Sequence, residues 1–182
     1  MQKEKQVKRT QKYSTNFLDV YEDDVTLPNG KPSKRVVVKH IGAAAVLPIT
    51  KEGKFILIKQ HRYAAGIDAI EMPAGKKDSP DEEALACVKR ELIEETAHTA
   101  TEFEYLTTIH SAIGFSDETI ALYLARDVVP YDGKVEKDEE EFIERMMVDE
   151  NEALRLLKQG AISDAKTVVA LLMYFNKRGV RL

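Results

Sequence analysis

A chain of 182 residues, 43% hydrophobic and 32% charged, is long enough for one domain of ordinary size with or without an arm, and it can bury a sizeable core. Its 27 basic and 31 acidic residues leave a net charge of −4, which gives no electrostatic reason to expect nucleic acid as a partner, since its binders usually show a basic face or domain. A single cysteine, Cys87, rules out an intramolecular disulfide framework, and no stretch reaches the ~18 apolar residues of a membrane span, so a cytoplasmic protein without membrane segments is expected.

Residues 1 to about 12 are polar and lysine-rich and are expected to be loose. Strand-like runs follow at 17–22 and 24–27, the second leading into Pro28-Asn29-Gly30. Asn-Gly between such runs marks a hairpin. The β-branched run 35–40 then returns antiparallel. Residues 42–49 are almost wholly apolar, as a strand covered on both faces would be. A turn at 51–54 and a strand at 55–60 come next. Gly66, Pro73, Gly75 and Pro80 forbid a long helix between 61 and 81.

Residues 82–96 lack Gly and Pro and are rich in Ala, Leu, Glu and Lys, which predicts a helix. Further strands are expected at 104–109, 119–124 and, after the acidic run 136–141, at 142–148. Two helices close the chain. Asp149 or Asn151 caps the first and Gly160 ends it; Ser163 or Asp164 caps the second and Gly179 ends it. The order implies an α+β fold, a mixed sheet between helices preceded by an antiparallel β arm.

The chemistry concentrates on the central helix. At ~100° per residue, Leu85, Val88 and Leu92 form an apolar stripe. Glu91, Glu94 and Glu95, at i, i+3 and i+4, project from neighbouring positions beside it. Like charges so spaced destabilise a helix by about a few tenths of a kcal/mol per pair, and by more when desolvated, unless a cation sits among them. Three hard oxygen donors suit Mg2+ or Mn2+, and nothing resembles a thiolate or imidazole zinc set. The alternative is a decorated surface helix; against it stands the loop Glu71-Met72-Pro73-Ala74-Gly75 just upstream, whose Ala74 carbonyl can face the same metal. Arg90 is expected to pair structurally with Glu82. His40, His61, His98 and His110 have no ligand spacing and read as structural or surface residues.

These residues resemble the Nudix box, Gly-x5-Glu-x7-Arg-Glu-U-x-Glu-Glu-x-Gly-U with U a bulky apolar residue; Glu82, Arg90, Glu91, Leu92, Glu94 and Glu95 fall on its positions. Leu27-Pro28-Asn29-Gly30-Lys31, Gln60-His61-Arg62-Tyr63, Glu71 to Gly75, Gly114 to Glu118 and Asp164-Ala165-Lys166-Thr167 resemble the family's ADP-ribose pyrophosphatase branch. Three departures stand out. Six residues separate Gly75 from Glu82 where the box has five, Ala97 and His98 replace the last Gly and the apolar residue after it, and Ser111-Ala112-Ile113-Gly114 stands where the branch has Ser-Pro-Gly.

The resemblance implies a Nudix fold and Mg2+-dependent hydrolysis of the diphosphate bond of a nucleoside diphosphate sugar, ADP-ribose or a relative of it, to a nucleoside monophosphate and a sugar phosphate. It places the metal on Glu91, Glu94, Glu95 and the Ala74 carbonyl. The general base falls on the late acidic run, at Glu139 or Glu141 with Glu140 as a third candidate, and substrate contacts fall on Arg62, Arg35, Glu118 and Glu71. It also implies a homodimer in which an N-terminal arm, residues 1–40, crosses to the partner of a catalytic domain, residues 41–182. Tyr13, Phe17 and Tyr21 can stack on a base, although packing is the commoner use of aromatics in such a hairpin. The rival readings are a Nudix hydrolase of another nucleoside polyphosphate and a non-catalytic nucleotide-sugar sensor. Such sensors lose box carboxylates that this chain keeps.

Overall fold

The computed structural model describes residues 2–135 and 142–180, and the chain divides into two compact units. One comprises residues 1–42 and 110–119, the other 43–109 and 120–182.

In the first unit, β1 (Lys5–Ser14), β2 (Leu18–Thr26) and β3 (Pro32–His40) form an antiparallel sheet in chain order. β1 corrects the expectation of a loose start. A polar strand is held here by cross-strand pairs: the Arg9 guanidinium donates twice to the buried Asp23 carboxylate, at 2.8 and 2.6 Å, and lies 4.7 Å over the Tyr21 ring, while Lys12 pairs with Glu22 at 3.3 Å. The Asn-Gly turn forms as expected. Gly30 takes a φ of 81°, and the Leu27 N–H donates to the Lys31 carbonyl at 2.8 Å. Residues 110–119 join this unit through Val38, whose N–H donates to Phe115 O at 2.7 Å, and through Asp117, whose carboxylate accepts from His40 N at 3.0 Å and Lys39 Nζ at 2.6 Å.

The second unit is built on a mixed sheet with the order β11 (Ile143–Val148), β5 (Phe55–Arg62), β4 (Ala43–Thr50), β10 (Thr119–Pro130), β8 (His98–Thr99). β6 (Ile67–Glu71) adds to β5, β7 (Ala74–Lys76) to β4, and β9 (Glu102–His110) to β10. β4 and β10 run parallel; β4–β7, β5–β6 and β5–β11 are antiparallel. The apolar run of β4 is explained by the period of two in a strand. Ala44 and Val46 pack with Cys87, Val88 and Leu92 of α1 (Ala84–Thr96), and Ala45, Leu47 and Ile49 pack with Ala153 of α2 (Glu150–Lys158) and with Ala170, Leu171, Tyr174 and Phe175 of α3 (Ala165–Lys177). The sheet therefore has helices on both faces, and the expected α+β architecture is observed. Each large side chain so buried contributes about 1.5–3 kcal/mol.

β10 runs further than the expected 119–124. Its register against β4 breaks next to Pro48, which has no N–H to donate, and resumes at Val128, with Asp127 at a φ of 51°. Of the alternative caps, Asp149 accepts from Glu152 N at 2.8 Å and Asp164 from Thr167 N at 3.1 Å. Among the described residues no helix is long and apolar enough to cross a membrane.

The helix α1 starts at Ala84, two residues later than expected, and ends at Ala97 in the left-handed region, φ 53° and ψ 36°, its N–H donating to Ile93 O. A side-chain carbon is disfavoured in that conformation. Ala97→Gly is therefore expected to stabilise the protein by about 1 kcal/mol, read as a higher denaturant midpoint at unchanged slope.

Candidate active site

The buried side of α1 is a stripe of Cys87, Val88, Glu91, Leu92, Glu95 and Thr96. Leu85, expected on the stripe, is 38% exposed, so the buried face is rotated away from it and carries two of the glutamates on itself. Glu91 is 8% and Glu95 5% exposed. Like charges withdrawn from water this far disfavour the apo state and favour a bound cation.

The β7 strand lies against these carboxylates because its pairing with β4, Ala74 opposite Ala45, fixes it there. The Ala74 N–H donates to Glu95 Oε2 at 2.8 Å. Gly75 touches Glu91 so closely that a Cβ on it would sit 1.8 Å from Oε1. Gly75→Ala is therefore expected to force the Glu91 carboxylate out of place and, if Glu91 helps to hold a divalent cation, to reduce any rise in melting temperature that such a cation gives the wild type; an unreduced shift would contradict that role.

Arg90 lies between the carboxylates. Its Nη1 donates to Glu91 Oε1 at 2.6 Å and to Glu94 Oε2 at 3.2 Å, and its Nη2 donates to the Lys76 carbonyl at 3.1 Å. The expected pairing with Glu82 is present at 3.5 Å. The extra residue between Gly75 and Glu82 is absorbed in a turn, where the Asp78 N–H donates to Glu82 Oε2 at 2.7 Å and the Asp78 carboxylate comes within 3.3 Å of Arg90 Nε.

Glu91, Glu94 and Glu95 are thus gathered on one face with Ala74. Among the described residues, however, no three acidic, imidazole or thiol groups converge on one point, because Glu91 and Glu94 turn to Arg90 and Glu95 to the Ala74 N–H. The donors are all hard oxygens, already clustered round a cationic group, and the set fits a divalent cation of the Mg2+ class. Cys87 is no rival ligand. Burial pushes its thiol up to about 12, and Sγ donates to the Gly75 and Lys76 carbonyls at 3.6 Å. Arg145 of β11 donates to the Glu95 carbonyl at 3.0 Å, a contact that no sequence signal announced.

Next to this face, Glu71 is only 1% exposed. Arg62 binds it with two parallel bonds, Nε to Oε1 at 2.6 Å and Nη2 to Oε2 at 2.8 Å. Lys166 Nζ donates to the same Oε2 and to Asp164 Oδ1, the latter at 3.0 Å. Burial by itself would raise the Glu71 carboxyl, but the Arg62 hydrogen bonds and the Lys166 charge outweigh it and hold the group below the ordinary glutamate value. The residue after Lys166 belongs to the same cluster: Met72 N donates to Thr167 Oγ1 at 2.8 Å, and Thr167 Oγ1 donates to Asp164 Oδ2 at 2.6 Å. The run from Asp164 to Thr167 resembles a family motif in sequence, with no role attached to it there.

Two of the remaining candidates belong to the first unit. Arg35 is engaged inside the first unit, with Glu4 at 3.0 and 2.5 Å, Ser33 Oγ at 3.0 Å and Lys34 O at 2.8 Å. Glu118, in the same unit, accepts from Ser111 Oγ and lies 3.5 Å from His40 Nδ1. Glu139, Glu140 and Glu141 lie outside the described residues. Three of the histidines bond locally, as expected of structural or surface residues: His40 Nδ1 accepts from Gly42 N at 3.0 Å, His61 pairs with Asp68 at 2.9 Å, and His98 with Thr96 O at 2.8 Å. Phe17 packs edge-on to His40 and Tyr21 lies under Arg9, whereas Tyr13 is 62% exposed.

A family model described as the NUDIX domain matches residues 39–171. An ADP-ribose pyrophosphatase of Bacillus subtilis (strain 168) is 42% identical over 92% of this chain and 90% of its own length. A methanol dehydrogenase activator of Bacillus methanolicus is 37% identical over the same shares. A GDP-mannose pyrophosphatase of Cronobacter sakazakii is 34% identical over 86% of each chain. The crystal structure of an ADP compounds hydrolase matches with a TM-score of 0.83 over 98% of this chain and 97% of its own, at 20% identity, a likeness of fold.

Proposed function

The chain belongs to the NUDIX domain family, and from that premise we propose that it hydrolyses the diphosphate bond of a nucleoside diphosphate sugar, ADP-ribose or a close relative of it, releasing a nucleoside monophosphate and a sugar phosphate. One observation carries the reading: two carboxylates of a single helical face, Glu91 and Glu95, are buried against the backbone of Ala74 and Gly75. A protein tolerates such a concentration of negative charge when a cation completes it.

Enzymes of this family need a divalent metal, which we assign as Mg2+, with Mn2+ as a substitute. Glu91, Glu94, Glu95 and the Ala74 carbonyl would hold it. When bound, the ion neutralises diphosphate charge and lowers the pKa of a water. Arg62 offers its guanidinium to the diphosphate oxygens, a fork suited to phosphate. Glu71 keeps that fork in place. We assign Arg35 and Glu118 to substrate contact, and the base that deprotonates the attacking water to Glu139 or Glu141, with Glu140 as the third candidate. Reactions at phosphorus of this kind are governed by positioning and charge stabilisation.

The working form we propose is a cytoplasmic homodimer in which residues 1–40 serve as the arm and residues 41–182 as the catalytic domain. The three-stranded N-terminal sheet supports the arm.

The test is a panel of ADP-ribose, GDP-mannose, UDP-glucose and CDP-activated compounds, incubated with Mg2+ and assayed for released monophosphate. Release of pyrophosphate from nucleoside triphosphates instead would overturn the sugar reading. Tight binding of a nucleotide sugar without cleavage would turn the protein into a sensor, against which the retained Glu91, Glu94 and Glu95 argue.

A further inference from the structure

We propose that Lys166 is a positioning residue for substrate binding: through Glu71 it fixes the Arg62 guanidinium with one edge bound inward and the other presented to the substrate diphosphate. The inference rests on the reading of the chain as a hydrolase of nucleoside diphosphate sugars.

The geometry is that of a relay with one buried and one open end. Glu71 is 1% exposed and Lys166 8%, while the Arg62 side chain is 42% exposed. Arg62 spends Nε and one hydrogen of Nη2 on Glu71; among the described residues Nη1 makes no hydrogen bond, so its donors are left for a ligand. A free arginine on the surface has rotamer freedom to lose on binding an anion. Two parallel bonds to a buried carboxylate remove most of that cost beforehand.

Glu71 alone would bring a second difficulty. A single arginine bound to a single carboxylate has its charge largely cancelled. Lys166 shares Oε2 of Glu71 with Arg62, so the carboxylate answers to two cations and the guanidinium keeps outward charge for the diphosphate. Lys166 is itself steadied by Asp164 Oδ1 at 3.0 Å, the carboxylate that caps α3. Thr167, the next residue, holds the Met72 N–H, so adjacent positions of α3 fix both the Glu71 side chain and the backbone leading to Ala74. A lysine that only neutralised a buried charge would need no such arrangement with an exposed arginine on the same oxygen.

Lys166→Met keeps an unbranched apolar stem of nearly the same length and removes the charge and donors. It is expected to raise KM for the preferred nucleotide sugar about tenfold at nearly unchanged kcat, the signature of lost binding shared by ground and transition states. In an Arg62→Met background the same substitution is expected to leave KM where Arg62→Met alone puts it, because Lys166 acts through Arg62. If Lys166→Met unfolds the protein, the charge-balanced pair Glu71→Gln with Lys166→Met removes one charge of each sign and tests the same point, again with raised KM. A fall in kcat at wild-type KM, a Lys166→Met effect that persists undiminished without Arg62, or a wild-type KM in the paired variant overturns the inference alone. A wild-type protein that neither cleaves nor binds any nucleotide sugar with Mg2+ overturns the substrate reading and this inference with it.

Discussion

Glu95→Gln is expected to lower Mg2+-dependent hydrolysis of the preferred nucleotide sugar by at least about 100-fold while leaving the protein folded. The two halves of the expectation have different causes. Glu95 is 5% exposed and accepts the Ala74 N–H at 2.8 Å, a bond that the carbonyl oxygen of a glutamine can accept equally well, so the helix–strand contact survives. What is lost is the charge. Glu91, one turn earlier and 8% exposed, loses a like-charged neighbour, so the metal-free variant is expected to melt at the same temperature as wild type or above it. On the proposed assignment a bound divalent ion would lose a ligand, so any upward shift of melting temperature with Mg2+ is expected to shrink or disappear. Glu94→Gln should behave alike in turnover. Near-normal turnover in either variant would mean that the metal sits elsewhere. A large loss of stability without Mg2+ would mean that Glu95 serves the fold.

Much of this was legible in the chain, for reasons that differ by element. The Asn-Gly turn, the doubly covered strand β4 and the caps Asp149 and Asp164 each follow from local stereochemistry or periodicity, and the structure has them. The carboxylates were legible because spacing on a helix dictates adjacency. Which side of the helix faces inward was less so. The stripe through Leu85 fails because the buried face includes Cys87, Glu91 and Glu95, and a glutamate facing a backbone N–H is invisible to hydrophobic patterning. The strand at Lys5–Ser14 was missed for a related reason: partners such as Asp23 stand far off in sequence, and local composition records only polarity. Lys166 illustrates the limit most sharply. It is 8% exposed for a carboxylate 95 residues away, and nothing near either residue announces the other.

That contact yields the largest stability effect expected here. Glu71→Ala leaves Lys166 buried with Asp164 as its remaining partner and frees Arg62 from its inner anchor. Removing one member of a buried charge network costs about 3–5 kcal/mol, because the group left behind keeps its desolvation penalty and loses its compensation. For a chain of 182 residues the melting temperature should fall by roughly 6–20 °C at neutral pH. The pH dependence gives the effect its sign. Glu71 binds its proton less tightly in the folded state than in the unfolded chain, despite a burial that acts the other way, because of the Arg62 hydrogen bonds and the Lys166 charge. A carboxylate with a depressed folded pKa contributes stability that is fully present above its unfolded value and is lost as pH falls through its folded one. The gap in unfolding free energy between wild type and Glu71→Ala should therefore be constant around neutrality and narrow below the ordinary glutamate range. Denaturant titrations of both proteins at a series of pH values would show it. A gap that stays constant into acid would mean that the Glu71 carboxylate contributes by packing and not by charge. A gap that widens in acid would mean that burial dominates and that Arg62 and Lys166 do not compensate it.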